Sequence, residues 1–330
     1  MSDALLNVEN LKVEYITGDS TTVAAVDNVS FSIKPGESLG LAGESGCGKS
    51  TIAYSLMRLH KPPALITNGK IVMNGKDVLN MNKKELQQFR WQETSMVFQS
   101  AMNCLNPVVT MEKQFFEIYK YHGVTKNKKA AIKLSEKLLS IVGIPAERLK
   151  DYPHQFSGGM RQRAVIAMAL ALNPKLLILD EPTTALDTVV QRDIIQRIFK
   201  LQKEYGFAIL FITHDISLMM EFCDSVAVMY AGRIIEQGKS LMMLKEPKHP
   251  YTYGLKNSFP SLQGPLSHME GIKGNPLNLK NIPQGCRFQD RCFRTCDTCR
   301  QIEPPRIEHE DGFFYCHEQL AYDKGGKLHE

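Results

Sequence analysis

GESGCGKST, residues 43–51, is the stretch from which the fold can be read. It follows the short apolar run LGLA (39–42) and fits the pattern G-x-x-x-x-G-K-[ST], a strand that turns through glycines into a helix. Gly43, Gly46 and Gly48 allow the backbone to turn its N–H groups inward around phosphate oxygens. Lys49 is placed to reach the β- and γ-phosphates of a nucleotide, and the Ser50 hydroxyl to ligate Mg²⁺. The helix that begins there adds its positive end to the same anion site. Glu44, Ser45, Cys47 and Thr51 complete the expected nucleotide-binding stretch, Cys47 as a small filler side chain.

Outward from this loop, apolar runs alternate with helix-length segments. LLIL (176–179) and AILFIT (208–213) are continuous, as in strands buried on both faces. VAVM (226–229) and RIIE (233–236) flank Tyr-Ala-Gly and read as a hairpin. The pattern predicts an α/β protein with a parallel central sheet and some antiparallel pairing. KLLILDEP (175–182) delivers Asp180 to the end of a buried strand, where Mg²⁺ needs a carboxylate. Glu181 follows and can polarise an attacking water. The two acids alone would suit a solvated loop start; behind a phosphate loop they point to nucleoside triphosphate hydrolysis.

Bulk properties narrow the class. A net charge of +5 over 330 residues is too weak a bias for nucleic acid. The N-terminus has no apolar core of signal-peptide length. The longest apolar run, Ala164–Leu172, is far short of a membrane span. The chain is therefore expected in the cytoplasm, where disulfides are disfavoured. Composition shifts near residue 245: eight of sixteen prolines lie between Pro247 and Pro305, and five of eight cysteines between Cys286 and Cys316. We expect an ATPase domain over 1–245, with a helical subdomain at about 95–160, and an extension over 246–330. Strand signals are lacking through the middle, roughly 95–155.

QFSGGMRQRAVIAMALALNP (155–174) separates the phosphate-loop classes. Ser157 is a good helix N-cap, and Gly158 and Gly159 leave backbone N–H groups uncovered. That is a second anion site, fit for a nucleotide held by another subunit. S-G-G-x-x-Q-R, 23 residues before Asp180 (180−157), resembles the signature of ABC-transporter ATPases. Gln99 in MVFQ resembles the Q-loop, Asp187 in ALD (185–187) the D-loop, His214 in FITHD the switch histidine, and Tyr15 the aromatic that stacks on adenine. Met160 stands where the family often has Gln. The resemblance implies a P-loop ATPase core with an antiparallel β subdomain and a helical subdomain. It also implies that Gln99, Asp180 and Ser50 hold Mg²⁺, that Glu181, His214 and Gln99 serve catalysis, and that Ser157-Gly158-Gly159 serves the partner's ATP.

SAMNCLNPVVTM (100–111) and KEPKHPYTYGLKNSFP (245–260) resemble the dipeptide/oligopeptide/nickel importer branch, with the dipeptide proteins closest. GCRFQDRC (285–292) resembles the tail of that branch. Four thiols on a loop-rich segment suit a metal. Zinc favours pairs two to four residues apart, which fits Cys296 and Cys299 but not Cys286 and Cys292; an iron–sulfur centre tolerates wider spacing. The resemblance implies a [4Fe-4S] cluster on Cys286, Cys292, Cys299 and Cys316, with zinc as the alternative and Cys296 spare. A Pro-rich extension without a core would need such a staple.

The implied function is ATP-driven uptake of di- or oligopeptides at the cytoplasmic face of the membrane. Implied partners are a second ABC ATPase subunit (a related chain or a second copy), two integral membrane permease subunits and, indirectly, an extracytoplasmic peptide-binding protein. The competing expectation is a soluble, non-transport ABC ATPase such as an iron–sulfur assembly factor.

Overall fold

Residues 4–18, 21–99, 101–183, 187–258, 271–322 and 328 are described in the computed structural model of the chain. Those residues form twelve strands, in chain order β1 (Leu6–Ile16), β2 (Thr22–Ile33), β3 (Ser38–Ala42), β4 (Ala64–Met73), β5 (Lys76–Asp77), β6 (Thr94–Val97), β7 (Leu176–Asp180), β8 (Ala208–Ile212), β9 (Ser225–Tyr230), β10 (Arg233–Lys239), β11 (Arg306–His309) and β12 (Gly312–Tyr315). Two compact units share them: Met1–Ile33, Ser38–Leu79 and Ile212–Glu330 make one, Lys34–Glu37 and Asn80–Phe211 the other.

The first unit carries two sheets' worth of pairing. One is antiparallel throughout, in the order β2-β1-β4-β5. Along β1 the buried residues alternate, Leu6 and Val8, then slip by one to Leu11 and Val13. The slip falls at Asn10, whose φ is +48°, where the register with both neighbours shifts. A bulge therefore keeps the apolar face inward while bending the strand. The other set runs β11-β12-β10-β9-β3, with β3 parallel to β9 and the rest antiparallel. All five residues of β3 are buried, as a strand covered on both faces requires.

The extension is not a bare loop. The hairpin β11–β12 joins β10 in the register Gln237↔Phe313, so the tail continues a sheet of the first unit. Phe288, Cys299, Phe314, Cys316 and Leu320 are buried there. The Pro-rich composition concealed this, because the residues that anchor the tail are few and widely spaced.

The second unit holds β6, β7 and β8, with β6 parallel to β7 and every residue of the three strands buried. Strand β6 corrects the expectation of a strand-free middle at its edge: Thr94 and Ser95 interrupt the apolar pattern, yet both are buried. Helices Met111–Tyr121, Lys128–Ile141 and Gly158–Ala169 account for the predicted helical content.

Candidate active site

In the first unit, β3 ends at Ala42 and the helix Lys49–Leu56 begins seven residues later, with the glycine loop between them. Gly48 occupies the N-cap with φ +111°, and a Cβ there would lie 2.3 Å from the Ala25 carbonyl oxygen. Backbone conformation and space together demand glycine. The buried Lys49 side chain folds back over the loop and donates to the carbonyls of Gly43 (2.7 Å) and Glu44 (2.8 Å). An ammonium held by two neutral carbonyls and, at 3.7 Å, by Cys47 Sγ is a ready partner for phosphate oxygens. Burial pushes the Cys47 thiol up, consistent with a filler residue.

Tyr15 lies near the end of β1, half-buried, opposite Val23 and Ala64. His214 is exposed just after β8, and the following Asp215 caps the helix Ile216–Phe222 by accepting from Ser217 N–H at 2.9 Å.

The second unit brings two of the expected residues together: Gln99 Nε2 donates to Glu181 Oε2 at 2.9 Å. Asp180, wholly buried, ends β7 immediately before Glu181. Glu181 has φ +46°, a region that a side chain of its size rarely adopts. Such strain concentrates where a side chain must be aimed. Ser157 caps the helix Gly158–Ala169, its Oγ accepting from Met160 N–H at 3.3 Å and leaving the amides of Gly158 and Gly159 ahead of it. Asp187 likewise caps the helix Thr188–Tyr205, accepting from Val190 N–H at 3.0 Å. Ala185 and Leu186 of ALD, and Ser100 after the Q-loop glutamine, lie outside the described residues.

The hard oxygen donors Ser50, Gln99 and Asp180 are of the kind Mg²⁺ prefers. The thiol segment is a different matter. Cys286, Cys292 and Cys316 each feel the charge of other cysteines of the segment, and Cys296 and Cys299 stand 3.3 Å apart, Sγ to Sγ. Among the described residues, however, no three His, Cys, Asp or Glu side chains take up a metal-holding arrangement. The expected metal-binding extension, whether [4Fe-4S] or zinc on Cys286, Cys292, Cys299 and Cys316, is not supported as a structural staple. Burial raises the thiols of Cys286 and Cys292, and pushes Cys299 up to about 11 and Cys316 to about 12. Aromatic packing and strand pairing hold the segment instead. Tyr230, Tyr251 and Phe288 pack tilted or edge-to-face, with ring centroids 4.7–5.2 Å apart.

Several residues at this end were not singled out from the sequence. Buried Glu236 accepts from the N–H groups of Lys248 (2.7 Å) and His249 (2.9 Å), fixing the start of the helix Pro250–Asn257. His249 Nδ1 then accepts from Tyr251 N–H at 3.0 Å, and the Tyr251 hydroxyl accepts from Glu44 N–H at 2.9 Å. The HPYT motif thus carries a side chain to the phosphate loop. Its sequence showed the motif but not that reach.

Comparison with known proteins agrees with this geometry. The family described as ABC transporter matches residues 26–184, and the oligopeptide/dipeptide transporter C-terminal region matches 235–299. The oligopeptide transport ATP-binding protein OppD of Escherichia coli is 44% identical over 309 residues, 92% of this chain and 90% of the relative. The dipeptide transport ATP-binding protein DppD of Bacillus subtilis is 42% identical over 312 residues, 94% and 92% respectively. Among solved structures, the dimeric ATP-binding cassette MJ0796 bound to ADP and Pi superposes with a TM-score of 0.62 at 30% identity, covering 71% of this chain and 98% of that one. The chain belongs to the ATP-binding proteins of ABC transporters, in the branch that bears the oligopeptide/dipeptide C-terminal region.

Proposed function

We propose that the chain is the ATP-hydrolysing subunit of a di- or oligopeptide importer, acting at the cytoplasmic face of the membrane. One observation carries this reading: the likeness to peptide-transport ATP-binding proteins extends over 92% of the chain, its C-terminal region included. No helix among the described residues is long and apolar enough to cross a membrane, so the translocation path belongs to separate permease subunits. A groove of about 910 Å³ in the second unit, lined by Leu86, Trp91, Val109, Ile118, Tyr121 and Met168, suits an amphipathic helix of such a subunit. Trp91 there has φ +76°, a strained backbone for the chain's one tryptophan.

In this reading Lys49 and the loop amides bind the β- and γ-phosphates, and Tyr15 stacks on the adenine. Ser50, Asp180 and Gln99 hold Mg²⁺, which neutralises phosphate charge when bound. Glu181 orients and deprotonates the attacking water, Gln99 steadies Glu181, and His214 contacts the γ-phosphate. Ser157, Gly158 and Gly159 serve ATP held by the second cassette, with Asp187 at the same junction. The dimeric arrangement of the cassette MJ0796 supports the pairing. The four thiols Cys286, Cys292, Cys299 and Cys316 are the donors for a [4Fe-4S] centre or, in its place, zinc. Iron and zinc analysis of anaerobically purified chain tests that point, and metal-free, colourless protein removes it.

Glu181→Gln is expected to lower turnover by about 10²-fold or more while a nucleotide-bound dimer accumulates. Unchanged turnover overturns the role of Glu181. Stable co-purification with two integral membrane subunits, weakened by Trp91→Ala, supports transport; no membrane partner favours the soluble assembly factor.

A further inference from the structure

Two arginines lie between Cys286 and Cys292, and both reach the phosphate loop or its floor. Arg291 forks onto the Glu44 carboxylate, Nη1 to Oε2 at 2.7 Å and Nη2 to Oε1 at 2.8 Å. Its Nε donates to the Lys273 carbonyl at 2.9 Å, and its guanidinium lies over the rings of Tyr230 (5.8 Å) and Phe288 (5.9 Å). Arg287 donates to the Ala231 carbonyl and to the Asp27 carboxylate. The next residue, Gly232, donates its N–H to the Cys47 carbonyl at 3.0 Å. The tail therefore bonds Glu44 directly and, through the Ala231 carbonyl, braces the turn whose Gly232 bonds Cys47.

Glu44 itself is restrained on three sides. Lys49 takes its carbonyl, Tyr251 its N–H and Arg291 its carboxylate. When a phosphate draws Lys49 away from the carbonyls of Gly43 and Glu44, the two contacts from the extension remain, beside the Cys47 N–H that reaches the Glu44 carbonyl within the loop at 3.3 Å. A planar fork onto a carboxylate fixes direction as well as distance, and the Arg291 side chain is only 6% exposed. Such a contact is not the loosely held surface pair that contributes little.

We propose that Arg291 is a positioning residue for the nucleotide site: through Glu44 it keeps the phosphate loop formed while Lys49 changes partner, so that the extension sets ATP affinity. The inference rests on residues 43–51 being the ATP site. A preformed loop avoids the ordering cost at the moment of binding, so the loss of Arg291 is felt in affinity and not in the chemical step.

The test is equilibrium binding of ATP with Mg²⁺ to the full chain, together with steady-state hydrolysis. Arg291→Met is expected to weaken binding about tenfold and raise KM alike, with kcat at saturating ATP unchanged. Arg291→Lys, which keeps the charge but cannot span both oxygens, should fall between the two. Glu44→Gln attacks the same contact from the loop side, and the Glu44→Gln/Arg291→Met double variant should bind no more weakly than the weaker single variant. Where Arg291→Met lowers the melting temperature, Arg291→Lys and Glu44→Gln decide the matter, since both keep the shape of the site. Binding at wild-type strength in these two variants overturns the proposal, as does a fall in kcat alone. Lys49→Ala separates this from the larger reading: if it binds ATP as tightly as the wild type, the loop is not the ATP site. If it abolishes binding while the Arg291 and Glu44 variants are unaffected, only the role of Arg291 fails.

Discussion

The phosphate loop and the cysteine-rich tail are both short, both rich in unusual residues, and both lack regular structure over much of their length. They are built in opposite ways. The loop takes most of its shape from within, with the contacts on Glu44 as outside restraints: glycines at positive φ, a lysine that bonds carbonyls five and six residues away, and a helix start directly behind. The tail takes its shape from elsewhere. Gln237 pairs with Phe313, Arg287 reaches Asp27, and Arg291 reaches Glu44 across a separation of 247 residues. A segment shaped by its neighbours in sequence can be recognised from a motif, whereas one shaped by distant partners cannot.

The hardest blow to that comparison is a change inside the loop. A Cβ on Gly43, where φ is +147°, would lie 2.2 Å from the Met229 carbonyl oxygen and 2.8 Å from Cys47 Sγ. Gly43→Ala should therefore cost ATP binding about 10²-fold or more, the range for losing preorganised donors, while the tail's packing survives. Calorimetric binding alongside near-ultraviolet circular dichroism would show it. Equal damage to both regions would mean that the loop is not locally determined.

A smaller effect is expected from the tail side. Tyr251→Phe removes the acceptor for Glu44 N–H and leaves the edge-to-face aromatic packing intact. The cost of one unmade hydrogen bond, about 1 kcal/mol, corresponds to about fivefold weaker ATP binding. An unaltered Kd would confine the tail's influence on the loop to Arg291.

The last test reads acid stability rather than ATP affinity. Burial pushes His249 down to about 3 from the ordinary 6.5, so it stays neutral when folded. Between those values the unfolded chain takes up a proton that the native imidazole refuses. Stability therefore falls as pH drops from 6.5 towards 3, by up to about 1.4 kcal/mol per pH unit for this group. Glu236, raised above its usual range by burial, opposes part of the loss as it protonates in the native state. Denaturant titrations at several pH values should show a flatter slope for His249→Gln than for the wild type. An identical slope would remove His249 from the acid response.

The sheet strands around the site were legible because they are short, continuous and apolar: LGLA, LLIL and AILFIT became β3, β7 and β8. Strand β6 was hidden by buried Thr94 and Ser95, whose polarity says nothing of the neighbours that cover them. In β1 the slip at Asn10 breaks the alternation that would mark a strand. The contact between Gln99 and Glu181 joins residues 82 positions apart, and each was recognisable only by its local motif. The premise that led to a metal staple, a tail without a core, does not hold. Phe288, Tyr251, Phe314 and Leu320 supply one, drawn from four places in the chain.

By itself the sequence determined the ATPase class, the loop over 43–51, the acids ending β7 and the branch of the family. Each depends on residues within one turn or strand of one another, where spacing is geometry. Only the tertiary structure decided that the tail is a sheet edge and an aromatic core, and that its arginines and Tyr251 hold the phosphate loop. Those contacts join residues hundreds of positions apart, and chain entropy leaves such pairings unspecified until packing selects them.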